Sequence, residues 1–237
     1  MTVVDYDVER ETEFNRVQLG TTIPKRLQEL REILGGCSSL DAWHVGLLNK
    51  LLESVNRVCR DLLNTIGQEA LPAAAWNARN LLELWVWIKY CSASRENARR
   101  FHEDALRDVQ GLTDSLSKMC ELRGIQNQFE QTARKKIAEV ALSELGLQSI
   151  DSNFIQVSQA AANVGLDKWF SACNKHLSKF AHPTAGLVLG IMHQNERLRD
   201  LQSVCTTQGL YFAGQCVISL EETIRAVPNP LCAHGRP

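Results

Sequence analysis

The chain has 237 residues, of which 44% are apolar, so a continuous hydrophobic core is expected and an intrinsically disordered chain is excluded. Its 26 basic and 27 acidic side chains nearly cancel, which excludes attraction of nucleic acid or an anionic membrane by the overall charge. Acidic residues are frequent in the first twenty positions, where a secretory signal needs a basic region and then an apolar one. We therefore expect a soluble, cytoplasmic protein that does not enter a membrane.

Eight cysteines are spread singly along the chain, with no C-x-x-C pair. Most of them fall on apolar faces of predicted helices, where a free thiol behaves as a small hydrophobic side chain. This favours reduced core thiols over a disulfide framework or a zinc site. The sequence also lacks an H-E-x-x-H helix, repeated E-x-x-H motifs and the glycine-rich loops of nucleotide-binding proteins, so we predict no metal and no cofactor.

Helical apolar spacing continues along nearly the whole chain, and it predicts an all-α protein built as a single-domain bundle of about eight helices. Residues 1–36 are assigned to an N-terminal helical extension, with two short helices divided near Gly20 to Pro24. The bundle domain is assigned to residues 37–226. The tail at 227–237 contains three prolines and is predicted to be extended or disordered.

A long helix that begins near Pro72 is apolar almost all round, which is typical of the central helix of a bundle. Arg79 and Glu83 interrupt the apolar run too early for a membrane span. Together with Trp76 and two aromatic residues further along, they form one stripe at spacings of three and four. Two interpretations stay open, an internal ion pair that fixes packing and a wall of a functional site.

Further helices are predicted at about 95–122, 125–146, 155–163, 165–182, 184–193 and 195–226. In the first of these, His102, Glu103 and Asp104 are consecutive, so their side chains fan around the helix instead of converging on a metal. We interpret them as part of a charged surface.

The segment N-K-H-L-S-K-F-A-H-P-T at 174–184 carries the candidate chemistry. Pro183 disfavours helix at the preceding residue, which places His182 at a helix end, where the C-terminal dipole favours a protonated ring. Lys175 lies two turns earlier on the same face, about 10 Å away along the axis. A histidine that transfers protons and a lysine that neutralises phosphate would suit phosphodiester cleavage. The alternative is that His182 caps its helix while Lys175 and Lys179 form a solvated face; His176 is assigned to the core.

Two segments, R-N-L-L-E-L-W-V-W-I-K-Y at 79–90 and H-L-S-K-F-A-H-P-T at 176–184, resemble a bacterial helical family of uncharacterised function that is related to the HEPN superfamily (higher eukaryotes and prokaryotes nucleotide-binding). The resemblance covers residues 40–226 in helical order and implies a HEPN-like core. Nucleases of that superfamily carry an arginine, four to six further residues and a histidine, and two protomers form a composite site. The resemblance therefore implies a homodimer, an RNA substrate and metal-independent cleavage, as in bacterial defence or toxin systems.

On this resemblance His182 is the general acid or base, with Lys175 and Ser178 at the phosphate. Binding or supporting roles are assigned to four further polar residues, Arg79, Glu83, Asn174 and Lys179. Lys175 stands where the nucleases carry arginine, and lysine keeps the charge but loses the bidentate fork. Thr184 replaces the tyrosine of some toxin members, which argues against regulation by nucleotide transfer to tyrosine. The alternative function is a non-catalytic helical module that binds a protein partner or a small ligand.

Overall fold

The structure, a computed structural model, describes residues 8–36, 40–125, 154–189 and 195–226, together with positions 132, 135, 136, 139 and 143. These ranges are mostly helical and contain no strand, which confirms the all-α prediction. In chain order the helices are α1 (Val8–Gly35), α2 (Ala42–Leu63), α3 (Leu71–Ala93), α4 (Arg95–Leu122), α5 (Val157–Asn163), α6 (Asp167–Ala181), α7 (Ala185–Val188) and α8 (Asn195–Ala226). Most of the helix predicted at 125–146, and the tail at 227–237, lie outside the described residues.

The chain divides into two compact units, and the domain boundaries predicted from the sequence stay a prediction. Unit 1 comprises Met1–Ala93 and Val157–Pro237, and unit 2 comprises Ser94–Gln156. The helix α1, which the sequence assigned to an N-terminal extension, belongs to unit 1 and packs against α2 and α8. None of the described helices combines the length and the apolar character that crossing a bilayer requires.

The helix α1 continues through Pro24, so the prediction of two short helices in this region was wrong. A proline inside a helix removes one hydrogen bond and costs roughly 3 kcal/mol. Four residues on one face of α1 are nearly inaccessible to solvent: Ile23, Leu27, Leu30 and Leu34. Since each buried aliphatic side chain contributes roughly 1.5 to 3 kcal/mol, their packing outweighs the cost of the proline.

The helix α3 lies at the centre of unit 1, as its apolar sequence predicted, and packs against α2, α5, α6 and α8. Pro72 occupies its first turn, where the missing N–H has no helical partner to lose. The helix α8 approaches closely at Gly209, where an added Cβ would lie 3.1 Å from Cα of Ala78 and 2.5 Å from Cδ2 of Leu62. A glycine and an alanine thus allow the backbones of α3 and α8 to cross at short distance.

Cysteines lie in this core, as predicted for reduced thiols. Cys59, Cys91, Cys205 and Cys216 are buried, and none of the six cysteines that the structure describes forms a disulfide. Burial raises the pKa of Cys59 to about 11 and that of Cys205 to about 12, so both remain protonated at neutral pH.

Unit 2 contains a buried ion-pair network on α4. Glu103 and Asp104 are only 3% and 5% exposed, so their interpretation as a charged surface was wrong. Arg99 donates to Glu103 at 2.5 Å, and Arg107 forms an ion pair with Asp104. A carboxylate oxygen of Asp104 also accepts the backbone N–H of Ile155 at 3.1 Å. Burying a carboxylate without a counterion would be costly, and here arginines on the adjacent helical turns supply the opposite charges.

Candidate functional site

A tight turn between α5 and α6 sets the direction of the helix that carries the candidate residues. Gly165 adopts a φ of 72°, in the left-handed region that favours glycine. The N–H of Leu166 donates to the carbonyl of Ala161 at 2.8 Å, and that of Gly165 donates to the carbonyl of Ala162 at 3.2 Å. This pair of bonds is a Schellman motif. Leu166 is 6% exposed and anchors the turn in the core before α6 begins at Asp167.

His182 leaves the end of α6 in an extended conformation, with φ −118° and ψ 154°, as expected for a residue that precedes Pro183. The hydroxyl of Thr184 donates to the carbonyl of Lys179 at 3.1 Å, and the N–H of Thr184 donates to the carbonyl of His182 at 2.7 Å. These bonds fix the backbone where the helix ends. The predicted terminal position of His182 is confirmed, and its side chain is exposed.

Arg79 of α3 joins three of the predicted site residues in one cluster. Its Nε donates to Oδ1 of Asn174 at 2.8 Å, and its Nη1 lies 3.2 Å from Nε2 of His182. Its Nη2 lies 3.1 Å from Oε1 of Glu83, and the two side chains are 24% and 28% exposed. We call Trp76, Arg79, Glu83, Asn174 and His182 the Arg79 cluster. It combines residues of α3 with residues of α6 and the segment that follows α6.

Trp76 is the member of the cluster that sequence reasoning left out of the site. Its ring lies 5.8 Å from the ring of His182 at an interplanar angle of 76°, and Cζ of Arg79 lies 5.9 Å from its centroid. The indole is nevertheless 46% exposed. The spacing of three residues between Trp76 and Arg79 was the available signal. Further along the same stripe, Trp87 is half-buried and Tyr90 is fully buried.

The proton of His182 can be assigned from its contact with Arg79. A guanidinium has five N–H donors and no acceptor, and it keeps its proton in proteins. The 3.2 Å contact therefore makes Nε2 of His182 the acceptor, which leaves the ring proton on Nδ1. In this arrangement Nε2 presents a lone pair, which a general base requires.

The two charged members of the cluster, Arg79 and Glu83, form one partly exposed ion pair. Burial raises the pKa of the Glu83 carboxyl, while the charge of Arg79 and its hydrogen bond lower it. Among the described residues, three partners engage three of the five N–H groups of Arg79, namely Asn174, His182 and Glu83, which leaves two for another acceptor. The cluster thus offers a cation, an exposed imidazole and an exposed aromatic face. Within the described part of the chain, no three His, Cys, Asp or Glu side chains are grouped as metal ligands.

Three predicted site residues lie outside the Arg79 cluster. Lys175 and Lys179 are exposed on α6, and Ser178 is half-buried. With respect to the described residues, their side chains make no hydrogen bond or ion pair with the cluster. The cation beside His182 is an arginine of another helix, 103 residues away in the sequence. His182 therefore has a cation beside it, even though Lys175 lies about 10 Å away along the helix axis.

No protein-family model, curated protein or solved structure matches the chain. The resemblance to the HEPN superfamily therefore stays a prediction.

Proposed function

We propose that the protein is a HEPN-like, metal-independent endoribonuclease of a bacterial defence or toxin system, acting in the cytoplasm, with Arg79 and His182 as its catalytic pair. The contact of 3.2 Å between Nη1 of Arg79 and Nε2 of His182, on a side of unit 1 where His182 is exposed, carries this proposal. It places a fixed positive charge beside an imidazole nitrogen that accepts a hydrogen bond. That pairing suits a reaction that moves a proton beside a phosphate.

Substrate binding begins with an exchange of hydrogen bonds. Arg79 presents its two remaining N–H groups to the non-bridging oxygens of a phosphodiester, and Nη1 leaves His182. Asn174 and Glu83 keep hold of the other side of the guanidinium, so little orientation is lost. The exchange exposes the lone pair of Nε2, which becomes a general base beside the bound phosphate.

The chemical step is an attack within the RNA itself. Nε2 of His182 takes the proton of the ribose 2′-hydroxyl, and the 2′ oxygen forms a bond to the adjacent phosphorus. The bond from phosphorus to the 5′ oxygen breaks, and that oxygen receives a proton from the imidazolium or from water. The products are a 2′,3′-cyclic phosphate and a 5′-hydroxyl end. General acid or base catalysis typically contributes 10²- to 10⁴-fold, and a preorganised donor at the developing charge contributes about 10²- to 10³-fold.

A second protomer is not needed to bring a cation to His182, because both residues of the pair belong to one chain. The homodimer that the resemblance implies remains a proposal, and light scattering of the purified protein would measure it. A dimer with one Arg79 cluster per subunit would act on two phosphodiesters independently, whereas a composite site would lose all activity when monomeric.

The test is cleavage of single-stranded RNA by the purified chain in the presence of a chelator. Cleavage to cyclic phosphate ends is expected, and His182→Ala and Arg79→Ala should each lower the rate by at least about 100-fold. Circular dichroism of each variant would confirm that the helices are retained. An absence of cleavage by the parent, or full activity of His182→Ala, would refute the proposal.

Two lysine variants show which positively charged side chain binds the phosphate. Lys168→Ala removes an exposed charge near the start of α6 and should leave the rate unchanged. Lys175→Ala should do the same if Arg79 is the phosphate ligand. If Lys175→Ala instead loses cleavage while Arg79→Ala keeps it, then Lys175 is the cation. Loss of stability without any cleavage would favour the non-catalytic module, in which the cluster only ties α3 to α6.

A further inference from the structure

An exposed aromatic face lies directly beside the proposed catalytic pair. Trp76 is 46% exposed although its edge-to-face partner His182 and the guanidinium of Arg79 lie within 6 Å of its ring centroid. Single exposed tryptophans are common and need no explanation by themselves. A tryptophan beside a phosphate-binding arginine is different, because every nucleobase presents a flat face that can stack on an indole.

A cavity of about 300 Å³ lies at the start of α3, the helix that also carries Trp76. Its lining combines the start of α3, the short helix α7 and part of α8: Glu69, Leu71, Pro72, Leu187, Leu198, Arg199 and Gln202. Pro72 lies one helical turn before Trp76 on the same face of α3. Leu187 lies five residues after His182. Two parts of the chain that line the cavity, α3 and the segment after α6, thus also carry members of the Arg79 cluster.

One of the residues that line the cavity, Gln202, is fixed by hydrogen bonds within the protein. Nε2 of Gln202 donates to the carbonyls of Thr65 and Gln68, each at 2.8 Å, and Oε1 accepts the N–H of Ala70 at 3.0 Å. These bonds fix the loop that leads into α3. A volume of about 300 Å³ is at the small end of ligand pockets, which suits one heterocyclic ring system better than a larger ligand.

From these observations we infer that Trp76 stacks the base of a nucleotide next to the scissile phosphate, and that the neighbouring cavity receives the base of the following nucleotide. The inference rests on the proposed ribonuclease function and specifies its substrate as RNA with at least two consecutive unpaired bases. A paired base is stacked on its neighbours and offers no free face to Trp76. The exposed Arg199 at the rim can contact the next phosphate.

Binding of a single-stranded RNA that carries 2′-O-methyl groups tests this inference without cleavage. Trp76→Ala should weaken the affinity by about 5- to 150-fold, the range measured for loss of one stacked base. Trp76→Phe keeps an aromatic face and should retain most of the affinity. Trp169→Ala is the matched control, because Trp169 is 53% exposed on α6, stacks on Tyr211, and lies about 20 Å along the helix from His182.

An oligonucleotide with a single abasic position separates stacking from a structural role. When the missing base is the one that stacks, Trp76→Ala should cause no further loss. If the variant loses equal affinity for intact RNA and for every abasic form, Trp76 acts through the fold and the inference is wrong. The same holds if an RNA duplex binds as tightly as the single strand.

Failure of the inference can be told apart from failure of the proposed function. Cleavage of RNA by the parent together with unchanged affinity of Trp76→Ala would refute the stacking role and leave the nuclease proposal intact. Binding that depends on Trp76 without any cleavage would support the base-binding site and refute the nuclease. If the parent neither binds nor cleaves RNA, both are refuted.

Discussion

Two helices of the protein carry the same motif, an arginine followed four residues later by a glutamate, but they use it differently. On α3 of unit 1 the pair is Arg79 and Glu83, with a distance of 3.1 Å and side chains that are 24% and 28% exposed. On α4 of unit 2 the pair is Arg99 and Glu103, with a distance of 2.5 Å and a glutamate side chain that is only 4% exposed. The motif alone therefore does not decide between a structural and a functional role.

The difference lies in what surrounds each charge. Glu103 forms ion pairs with Arg99 and, at 3.7 Å, with Arg107. Arg107 also pairs with Asp104. Each buried charge on α4 thus faces an opposite charge. Among the described residues, Arg79 by contrast contacts an amide, an imidazole, an indole ring and a single carboxylate. A partly exposed cation with spare donors is suited to binding an anion, whereas a buried network of charges only stabilises its fold.

The largest expected effect is on unit 2. Asp104→Ala leaves Arg107, whose side chain is 14% exposed, without its closest counterion, and leaves the N–H of Ile155 without its acceptor. Breaking one partner of a buried pair typically costs about 3 to 5 kcal/mol. Hydrogen exchange of the α4 amides and thermal unfolding of the full chain would measure this loss.

A second aspartate on α4 provides the control for this experiment. Asp108 is exposed, so Asp108→Ala should change stability by less than about 0.5 kcal/mol. Equal protection factors in the Asp104 and Asp108 variants would mean that the α4 network contributes nothing, and the contrast between the two helices would disappear.

A smaller effect on stability, but a clear effect on activity, is expected at Glu83. Glu83→Ala should change the free energy of unfolding by less than about 1 kcal/mol, because the pair with Arg79 is partly exposed. The rate of RNA cleavage should fall about tenfold, since Arg79 loses one of the groups that orient it. Glu83→Gln keeps an acceptor oxygen and should recover much of the rate. A loss of several kcal/mol with an unchanged rate would instead identify a structural pair.

Features that depend on neighbours in the sequence could be predicted. The all-round apolar pattern of α3 indicated a central helix, and Pro183 indicated that α6 ends at His182, because the steric effect of proline acts on the residue before it. The spacing of four residues between Arg79 and Glu83 indicated an ion pair, because residues four apart are neighbours on the surface of a helix. Each of these inferences concerns residues separated by a few positions.

Features that depend on how helices pack could not be predicted. Reading α6 alone offered Lys175 as the cation, whereas the guanidinium that contacts His182 comes from 103 residues earlier. The same limit applies to Glu103 and Asp104, whose burial depends on the packing of unit 2 and not on their own helix. Pro24 shows the opposite case, in which burial of its neighbours overrides a local helix-breaking signal.

The smallest expected effect is a dependence of stability on pH that comes from Glu83. Burial raises the pKa of its carboxyl above the ordinary value of 4.5, with Arg79 opposing the shift, so the unfolded chain releases this proton at lower pH than the folded chain does. Between those two pKa values the folded protein binds more protons, and the free energy of unfolding therefore decreases as pH rises, becoming level above the folded pKa.

Glu83→Gln cannot titrate and should lack this decrease in the free energy of unfolding. Urea unfolding from about pH 4 to 7 would measure the free energy of unfolding of both proteins. We expect the variant to become more stable relative to the parent as pH rises. A difference that grows in favour of the parent would mean that the ion pair with Arg79 outweighs burial, and that Glu83 belongs with the balanced carboxylates of α4.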